Sequence, residues 1–391
     1  MPTVMIVAGE PSGDLHAARV AEKLKALSPQ ISLFGMGGDL MGAAGVELIY
    51  HIRDSAVMAI TEVIPAIPAF LKKRSHLKQL IHDRRPDVVV LVDFGDFNIN
   101  LARYAYRQGV RVVYYIPPKA WAWRGGRARK IAKTTTVVAS IFPFEAEFYR
   151  QAGANVEFVG HPLLDFAKTD LTQTQARRAL GLTECSPVMA IMPGSRRREV
   201  TQLLPVMFEV AQNIRRELAD CQFILPLAPG IDRASLPEMP FVHIVSGRVY
   251  DAMRAADMLL VASGTATLEA TCLGAPMIVV YKMSPVSWHV LRRLVKLRLS
   301  GLPNVIAGRE VVPEFLQNNV TPERITPVAL ELLRNATKRD TQRETLRNIY
   351  AQLGEPGAVE RVARLILAAV SDEPEGARER GSEWASGRVG E

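Results

Sequence analysis

Nine short runs rich in apolar and β-branched residues recur along this chain, and segments of helical pattern separate most of them. In the first half they cover residues 3–8, 88–92, 110–115 and 136–141; in the second, 188–192, 222–227, 241–245, 258–262 and 276–281. Runs that are apolar at every position, rather than at alternate ones, suit strands buried on both faces. Alternation of such strands with helices implies parallel sheets covered by helices on both sides. The expected fold class is therefore α/β, with two Rossmann-like domains and a cleft between them.

Between the halves, residues 160–174 lose the β-rich pattern and carry His161-Pro162 followed by polar residues, which suits a linker near 165–172. The reading divides the chain into a first domain over 1–165, a second over 166–335, and closing helices over 336–371 that pack back on the first half or on a partner chain. Breaks are expected at 335–339 and 354–357. Residues 372–391 are polar and Gly-rich and read as a disordered tail.

Length and composition agree with this organisation. At roughly 150 residues per domain, 391 residues suggest two or three domains. A hydrophobic content of 48% beside 23% charged residues excludes wholesale disorder, a coiled coil and a polytopic membrane protein. The first apolar run follows Met1 with no preceding Lys or Arg, so it reads as a buried strand and not a secretory leader. No apolar run approaches the roughly 18 residues a membrane-spanning helix needs. Cys185, Cys221 and Cys272 are too scattered for a zinc site and point to a reducing cytoplasm. Lys plus Arg, 48, against Asp plus Glu, 40, leaves a net charge of +8, which favours anionic partners.

The chemistry-bearing motifs sit where strands end. After the first strand comes Gly9-Glu10-Pro11-Ser12-Gly13-Asp14, a turn whose backbone amides and helix dipole face the carboxyl edge of a parallel sheet. Ser12 or Asp14 as a helix cap is the plainer alternative; Glu10, beside a proline, has no obvious structural task. After residues 88–92 comes Asp93-Phe94-Gly95-Asp96-Phe97-Asn98. One of its carboxylates can act as a general base if partial burial raises its pKa. Asp93, nearer the strand, reads as an orienting or capping group and Asp96 as the base. Trp121-Ala122-Trp123-Arg124 offers flat platforms for a sugar ring or an apolar chain, with Arg124 available to a phosphate, unless a Trp is core.

In the second half, Pro193-Gly194-Ser195-Arg196-Arg197-Arg198-Glu199 follows a buried strand and opens a helix. Amides at Gly194 and Ser195, the helix end and Arg196 together suggest a diphosphate cradle. A merely solvated start would set three arginines against the helix dipole. Ser263-Gly264-Thr265-Ala266-Thr267-Leu268-Glu269 repeats the strand-to-helix arrangement, with hydroxyls and glycine for a phosphate and Glu269 for ribose hydroxyls; a Thr265 cap is the alternative. Asn304, in Ser300-Gly301-Leu302-Pro303-Asn304, has both donor and acceptor groups, or is simply a turn residue. Two further stretches, 56–70 with the basic residues that follow it and 288–298, combine apolar and basic residues as an anionic membrane surface requires; each is otherwise a core-facing helix with a solvated rim.

In order along the chain, E-P-S-G-D, D-F-G-D-F-N, W-A-W-R, P-G-S-R-x-x-E-V, S-G-T-A-T-L-E and L-P-N-V-I-A-G-R-E resemble the lipid-A-disaccharide synthases, from the first strand to about residue 370. The resemblance implies GT-B architecture and an inverting glycosyltransferase that needs no metal and no cofactor. It implies transfer of 2,3-diacylglucosamine from its UDP derivative to 2,3-diacylglucosamine 1-phosphate (lipid X), giving a β-1′,6-linked disaccharide phosphate and UDP. It further implies a homodimer acting at the anionic inner face of the cytoplasmic membrane, with no nucleic-acid partner. Asp96 then matches an essential carboxylate, with Glu10 in a matching motif, and Arg196 and Asn304 fall at functionally important positions. The donor set becomes Gly194, Ser195, Arg196, Ser263, Gly264, Thr265, Thr267, Glu269 and Asn304; the acceptor set becomes Ser12, Asn98, Trp121, Trp123 and Arg124. Gly95 and Pro117-Pro118-Lys119 depart from the family pattern, which often has Pro and Ser-Pro-Ser there. The competing readings are a UDP-sugar 2-epimerase of the same architecture and a non-catalytic basic module for membranes or nucleic acid.

Overall fold

The computed structural model describes residues 1–55, 60–118, 125–228, 230–283 and 299–371. Its chain forms two compact units, residues 1–162 with 356–391, and residues 163–355.

Unit 1 is built on a seven-stranded sheet: β1 (Thr3–Ala8), β2 (Ser32–Gly37), β3 (Glu47–His51), β4 (Val88–Val92), β5 (Arg111–Tyr115), β6 (Val137–Ser140) and β7 (Val156–Phe158). The order is β3-β2-β1-β4-β5-β6-β7 and the pairs are parallel. Unit 2 contains β8 (Val188–Met192), β9 (Gln222–Leu227), β10 (Val242–Ser246), β11 (Met258–Ala262), β12 (Met277–Tyr281) and β13 (Glu314–Leu316), ordered β10-β9-β8-β11-β12-β13 and again parallel. The α/β class with two Rossmann-like units is thus correct. Strands such as Val88–Val92 and Met258–Ala262 are buried at every position because helices cover both faces of the sheet.

Four strands escaped the sequence reading. β7 and β13 have three residues each, β3 is only half-buried, and β2 carries Gly35 and Gly37 within its length. Gly35 (φ +150°) lies so close to the Ile6 carbonyl of β1 that a side chain there would collide with it. The glycine that weakens the strand pattern is what lets the two strands pair.

The unit boundary falls after Pro162, a few residues ahead of the expected linker. Residues 163–166 are already helical, and Thr172 starts the next helix with a reciprocal capping box to Gln175. The closing segment 336–371 does not act as one body. Asn335 caps the helix Ala336–Gln352, which stays in unit 2, where Gln342 Oε1 accepts from Met277 N (2.6 Å) and Leu346 and Ile349 enter the core. Gly354 (φ +89°) and Gly357 (φ +94°) turn the chain. The helix Ala358–Ser371 then joins unit 1, with Arg361 Nε donating to Val159 O (2.8 Å) and Glu360 pairing with Lys23 (2.9 Å). Residues 372–391, expected to be disordered, lie outside the described residues. Among the described residues no helix is long and apolar enough to cross a membrane.

Candidate functional site

In each sheet the strand order reverses between two neighbours, β1 and β4 in unit 1, β8 and β11 in unit 2. Connections from such a pair run off in opposite directions, so the loops at their carboxyl ends splay and leave a crevice for ligands. Ala8 pairs with Val92, and Met192 with Val261. The turns at 9–14 and 93–98 therefore lie side by side in unit 1, and those at 193–199 and 263–269 lie side by side in unit 2. Chain positions about 70 to 85 residues apart become neighbours through sheet topology alone.

In unit 1 the turn after β4 is unusual. Asp93 (φ +48°), Phe94 (φ +55°) and Gly95 (φ +30°) are consecutive left-handed residues, a conformation that non-glycine residues hold only when their surroundings compensate. Tyr114, fully buried in β5, donates its hydroxyl to Asp93 O (2.8 Å), and Asn98 Nδ2 donates to the same carbonyl (2.9 Å). Burial pushes the Tyr114 phenol far above its ordinary range, so it stays a donor. Gly9 lies against the Phe94 ring so closely that a β-carbon would overlap it, which locks the two turns together.

This frame presents Asp96 in the first turn of the helix Gly95–Arg107. Its side chain is 65% exposed, not partly buried as the sequence reading required of a base, and Oδ2 accepts from Arg127 Nη2. Among the described residues, no hydrogen bond reaches Oδ1. Glu10 and Ser12 are exposed at the start of the helix Pro11–Leu27, and neither caps it. Asp14 is buried and instead caps a neighbouring short helix, accepting from Gly38 N (2.6 Å), Met41 N (3.1 Å) and Leu40 N (3.2 Å). Asn98, expected to meet the acceptor, is wholly buried and braces the strand ends; the expectation of direct contact is corrected accordingly. Trp121, Trp123 and Arg124 lie outside the described residues, as do 56–59 and 288–298 of the two expected membrane-facing stretches.

In unit 2, Gly194 (φ +114°) turns the chain out of β8, and Ser195 and Arg196 are exposed. Of the two amides expected to face a diphosphate, those of Gly194 and Ser195, the Ser195 amide is taken up within the chain, and so is the amide of Arg196. Both donate to Glu199 Oε2 (3.2 and 3.3 Å), while Arg196 Nη1 donates to Glu199 Oε1 (3.0 Å). A carboxylate from the chain itself fills this anion position at the helix start and holds the arginine beside it.

The neighbouring turn is pinned to the loop that follows residue 299. Ser300 Oγ donates to Ser263 Oγ (2.7 Å), Ser263 Oγ donates to Ser300 O (2.9 Å), and Thr267 Oγ1 accepts from Leu302 N (3.3 Å). Gly264 and Thr265 remain exposed. Glu269 is half-buried with Tyr250 Oη donating to it (3.2 Å); burial pushes its carboxyl above the ordinary range and the tyrosine bond pulls partly back. Asn304 is wholly buried: Oδ1 accepts from Val311 N (2.7 Å) and Val312 N (2.9 Å), and Nδ2 donates to Val312 O (2.8 Å). It shapes the loop, which corrects the expectation that it meets the donor directly.

Sequence reasoning missed Tyr114, Arg127, the pairing role of Glu199, and His16. The imidazole of His16 lies edge-on to Tyr115 (6.3 Å) and is pushed down to about 4 by burial, helped by Arg19, so it is neutral near pH 7. For Glu199 a signal existed, since an acidic residue three after the start of a helix is the capping-box position. Nothing local marks the others.

Comparison with known proteins agrees with this arrangement. The family model for lipid-A-disaccharide synthetase matches residues 4–368. A lipid-A-disaccharide synthase of Syntrophus aciditrophicus is 41% identical over 373 residues, covering 94% of this chain and 97% of that protein. Its counterpart in Anaeromyxobacter dehalogenans is 42% identical over 370 residues, covering 93% and 96%. Among solved structures, a putative UDP-N-acetylglucosamine 2-epimerase from Listeria monocytogenes superposes with TM-score 0.64 at 13% identity, covering 96% of this chain and 98% of that one. The calicheamicin glycosyltransferase CalG4 superposes with TM-score 0.60 at 13% identity, covering 96% and 100%. At that identity the structural likeness speaks for the shared fold alone, while the sequence match decides between synthase and epimerase. The chain belongs to the lipid-A-disaccharide synthetase family.

Proposed function

We propose that this glycosyltransferase condenses UDP-2,3-diacylglucosamine with 2,3-diacylglucosamine 1-phosphate, giving the β-1′,6-linked disaccharide 1-phosphate and UDP. The single structural observation that supports this reading is the exposed Asp96 carboxylate, held at Oδ2 by Arg127 on a braced left-handed turn. Oδ1 takes the proton of the acceptor's 6-hydroxyl as that oxygen attacks the anomeric carbon. The C1′–O6 bond forms, the bond from C1′ to the β-phosphate oxygen breaks with both electrons leaving on UDP, and the configuration inverts. Unit 1 thus carries the acceptor and the base.

Unit 2 carries the donor. Arg196, held by Glu199 at the start of the helix Arg197–Glu217, offsets the charge that gathers on the departing diphosphate. Glu269 accepts from the ribose hydroxyls, and the turns at 263–267 and 300–304 shape the nucleotide site. Glu10 and Ser12 face the acceptor. The enzyme works as a homodimer at the anionic inner face of the cytoplasmic membrane, where both lipid substrates reside; the net charge of +8 favours that surface.

The test is UDP release from the diacylated donor with and without the acceptor, in wild type and Asp96→Ala. Release that depends on acceptor, and falls in the variant by about 10²–10⁴-fold while UDP affinity by calorimetry stays within about twofold, is the expected result. Near-normal turnover in Asp96→Ala would remove this residue from the chemistry. Donor isomerisation without acceptor would return the enzyme to the epimerase class.

A further inference from the structure

Arg127 lies in the first turn of the helix Gly125–Ala132, 31 residues from Asp96, and its Nη2 reaches Asp96 Oδ2. Its side chain is 23% exposed, so the guanidinium is partly sheltered and still reachable from solvent. A guanidinium has five N–H donors on a rigid plane, and among the described residues only the bond to Asp96 engages them. Its surroundings are two buried phenols and acidic groups: Tyr114 feels Asp93, Asp96 and Arg127, and Tyr149 feels Glu145, Arg127 and Asp93. Among the described residues, Arg127 is the cation that acts on both phenols, which burial keeps neutral.

Such a setting poses a difficulty for the acceptor. In a hexopyranose 1-phosphate, C1 and C5 both bind the ring oxygen and C6 hangs from C5. The reacting 6-hydroxyl and the anomeric phosphate therefore lie toward the same edge of the sugar. A carboxylate placed to take the hydroxyl proton stands close to the phosphate and repels it. A cation reaching both groups removes that conflict, and a planar fork suits the task because its two edges engage two anions at once.

We infer that Arg127 is a specificity-determining residue of the acceptor site, binding the anomeric phosphate of the incoming sugar with the donors that Asp96 leaves unused. This rests on the proposal that Asp96 is the base facing the acceptor. One arginine orients the carboxylate and selects a phosphorylated acceptor, so a neutral sugar of the same shape meets an aspartate whose partner is unsatisfied.

The test crosses two acceptors with the residue variants. The full-length enzyme is assayed with 2,3-diacylglucosamine 1-phosphate and with the corresponding 1-O-methyl glycoside, both in the same detergent micelles, and acceptor binding is measured separately by calorimetry. Wild type should prefer the phosphate by about 30-fold or more in kcat/KM, as expected for a charge-assisted contact. In Arg127→Ala and Arg127→Met that preference should fall below about threefold, with weaker acceptor binding and unchanged UDP affinity; Arg127→Lys should restore part of it. A purely structural arginine would lower both acceptors alike and leave their ratio intact, and that result overturns the inference. Should the alanine and methionine variants fail to fold, Arg127→Lys and Arg127→Gln carry the same comparison. Asp96→Ala separates the two claims: if it remains active the base reading fails, whereas the binding preference for phosphate still reports on Arg127.

Discussion

Replacing Gly194 with alanine should destabilise the start of unit 2 by about 3 kcal/mol, and the arithmetic has two parts. Gly194 sits at φ +114°, where an L-residue is strained by ~1–3 kcal/mol. A β-carbon there would overlap Glu199 Oε2 and come within 2.8 Å of Glu199 Cβ, so the carboxylate must leave. Its departure costs the bonds to Ser195 N, Arg196 N and Arg196 Nη1, worth ~1–2 kcal/mol together in this partly exposed setting. Hydrogen exchange at the amides of β8 and of the helix Arg197–Glu217 reads the change in this unit alone. A double-mutant cycle with Glu199→Ala isolates the second part. In that background the glycine replacement should cost ~1 kcal/mol or more less than in wild type, because the carboxylate is already gone. UDP affinity should fall with Gly194→Ala, since Arg196 loses the group that holds it. Full additivity, or a cost under about 1 kcal/mol for the single change, would refute the account of Glu199 as the internal anion.

Two further outcomes follow from buried groups. Asn304→Ala should cost about 2–4 kcal/mol, because three loop bonds are lost and the amides of Val311 and Val312 lose their acceptor; urea denaturation monitored by circular dichroism measures it, and a surface-like change under about 1 kcal/mol would contradict the loop-shaping role. Glu269 gives a pH dependence with a definite sign. Its folded pKa is raised by burial, so its contribution to stability is full below the unfolded value and is lost as pH rises through the folded value. Over the same window its ionised form gains the ability to accept from ribose, so UDP affinity should rise as stability declines. Glu269→Gln should flatten both curves, and parallel profiles for variant and wild type would count against the assignment.

The strands that the sequence makes legible are those whose burial is written in every residue, such as Val88–Val92 and Met258–Ala262. β2 was invisible because Gly35 serves a contact with Ile6 in the neighbouring strand, and that neighbour is not known until the sheet is ordered. The break at Gly354–Gly357 was legible, and of the one expected at 335–339 Asn335 was, residues 336–339 being already helical, since caps and left-handed turns are local chemistry. Which unit each following helix joins was not, because Gln342 and Arg361 find their partners 65 and 202 residues away.

The same division runs through the candidate site. Residue type and spacing by themselves determined that strand ends would carry acidic turns in the first half and glycine-hydroxyl turns in the second, because amphipathic pattern and turn preference act within a few residues. Tertiary structure decided which of those groups face solvent and which are spent inside. Asn98 and Asn304 have the same donors and acceptors as any exposed asparagine, yet both are wholly buried, Asn98 with Val7 O of a neighbouring strand among its partners and Asn304 inside a loop that folds back on it at Val311 and Val312. Among the described residues, Asp96 has one oxygen bonded, by an arginine from another helix, and no hydrogen bond at the other. Burial of a polar side chain depends on neighbours distant in the chain, and only the folded sheets bring those neighbours together.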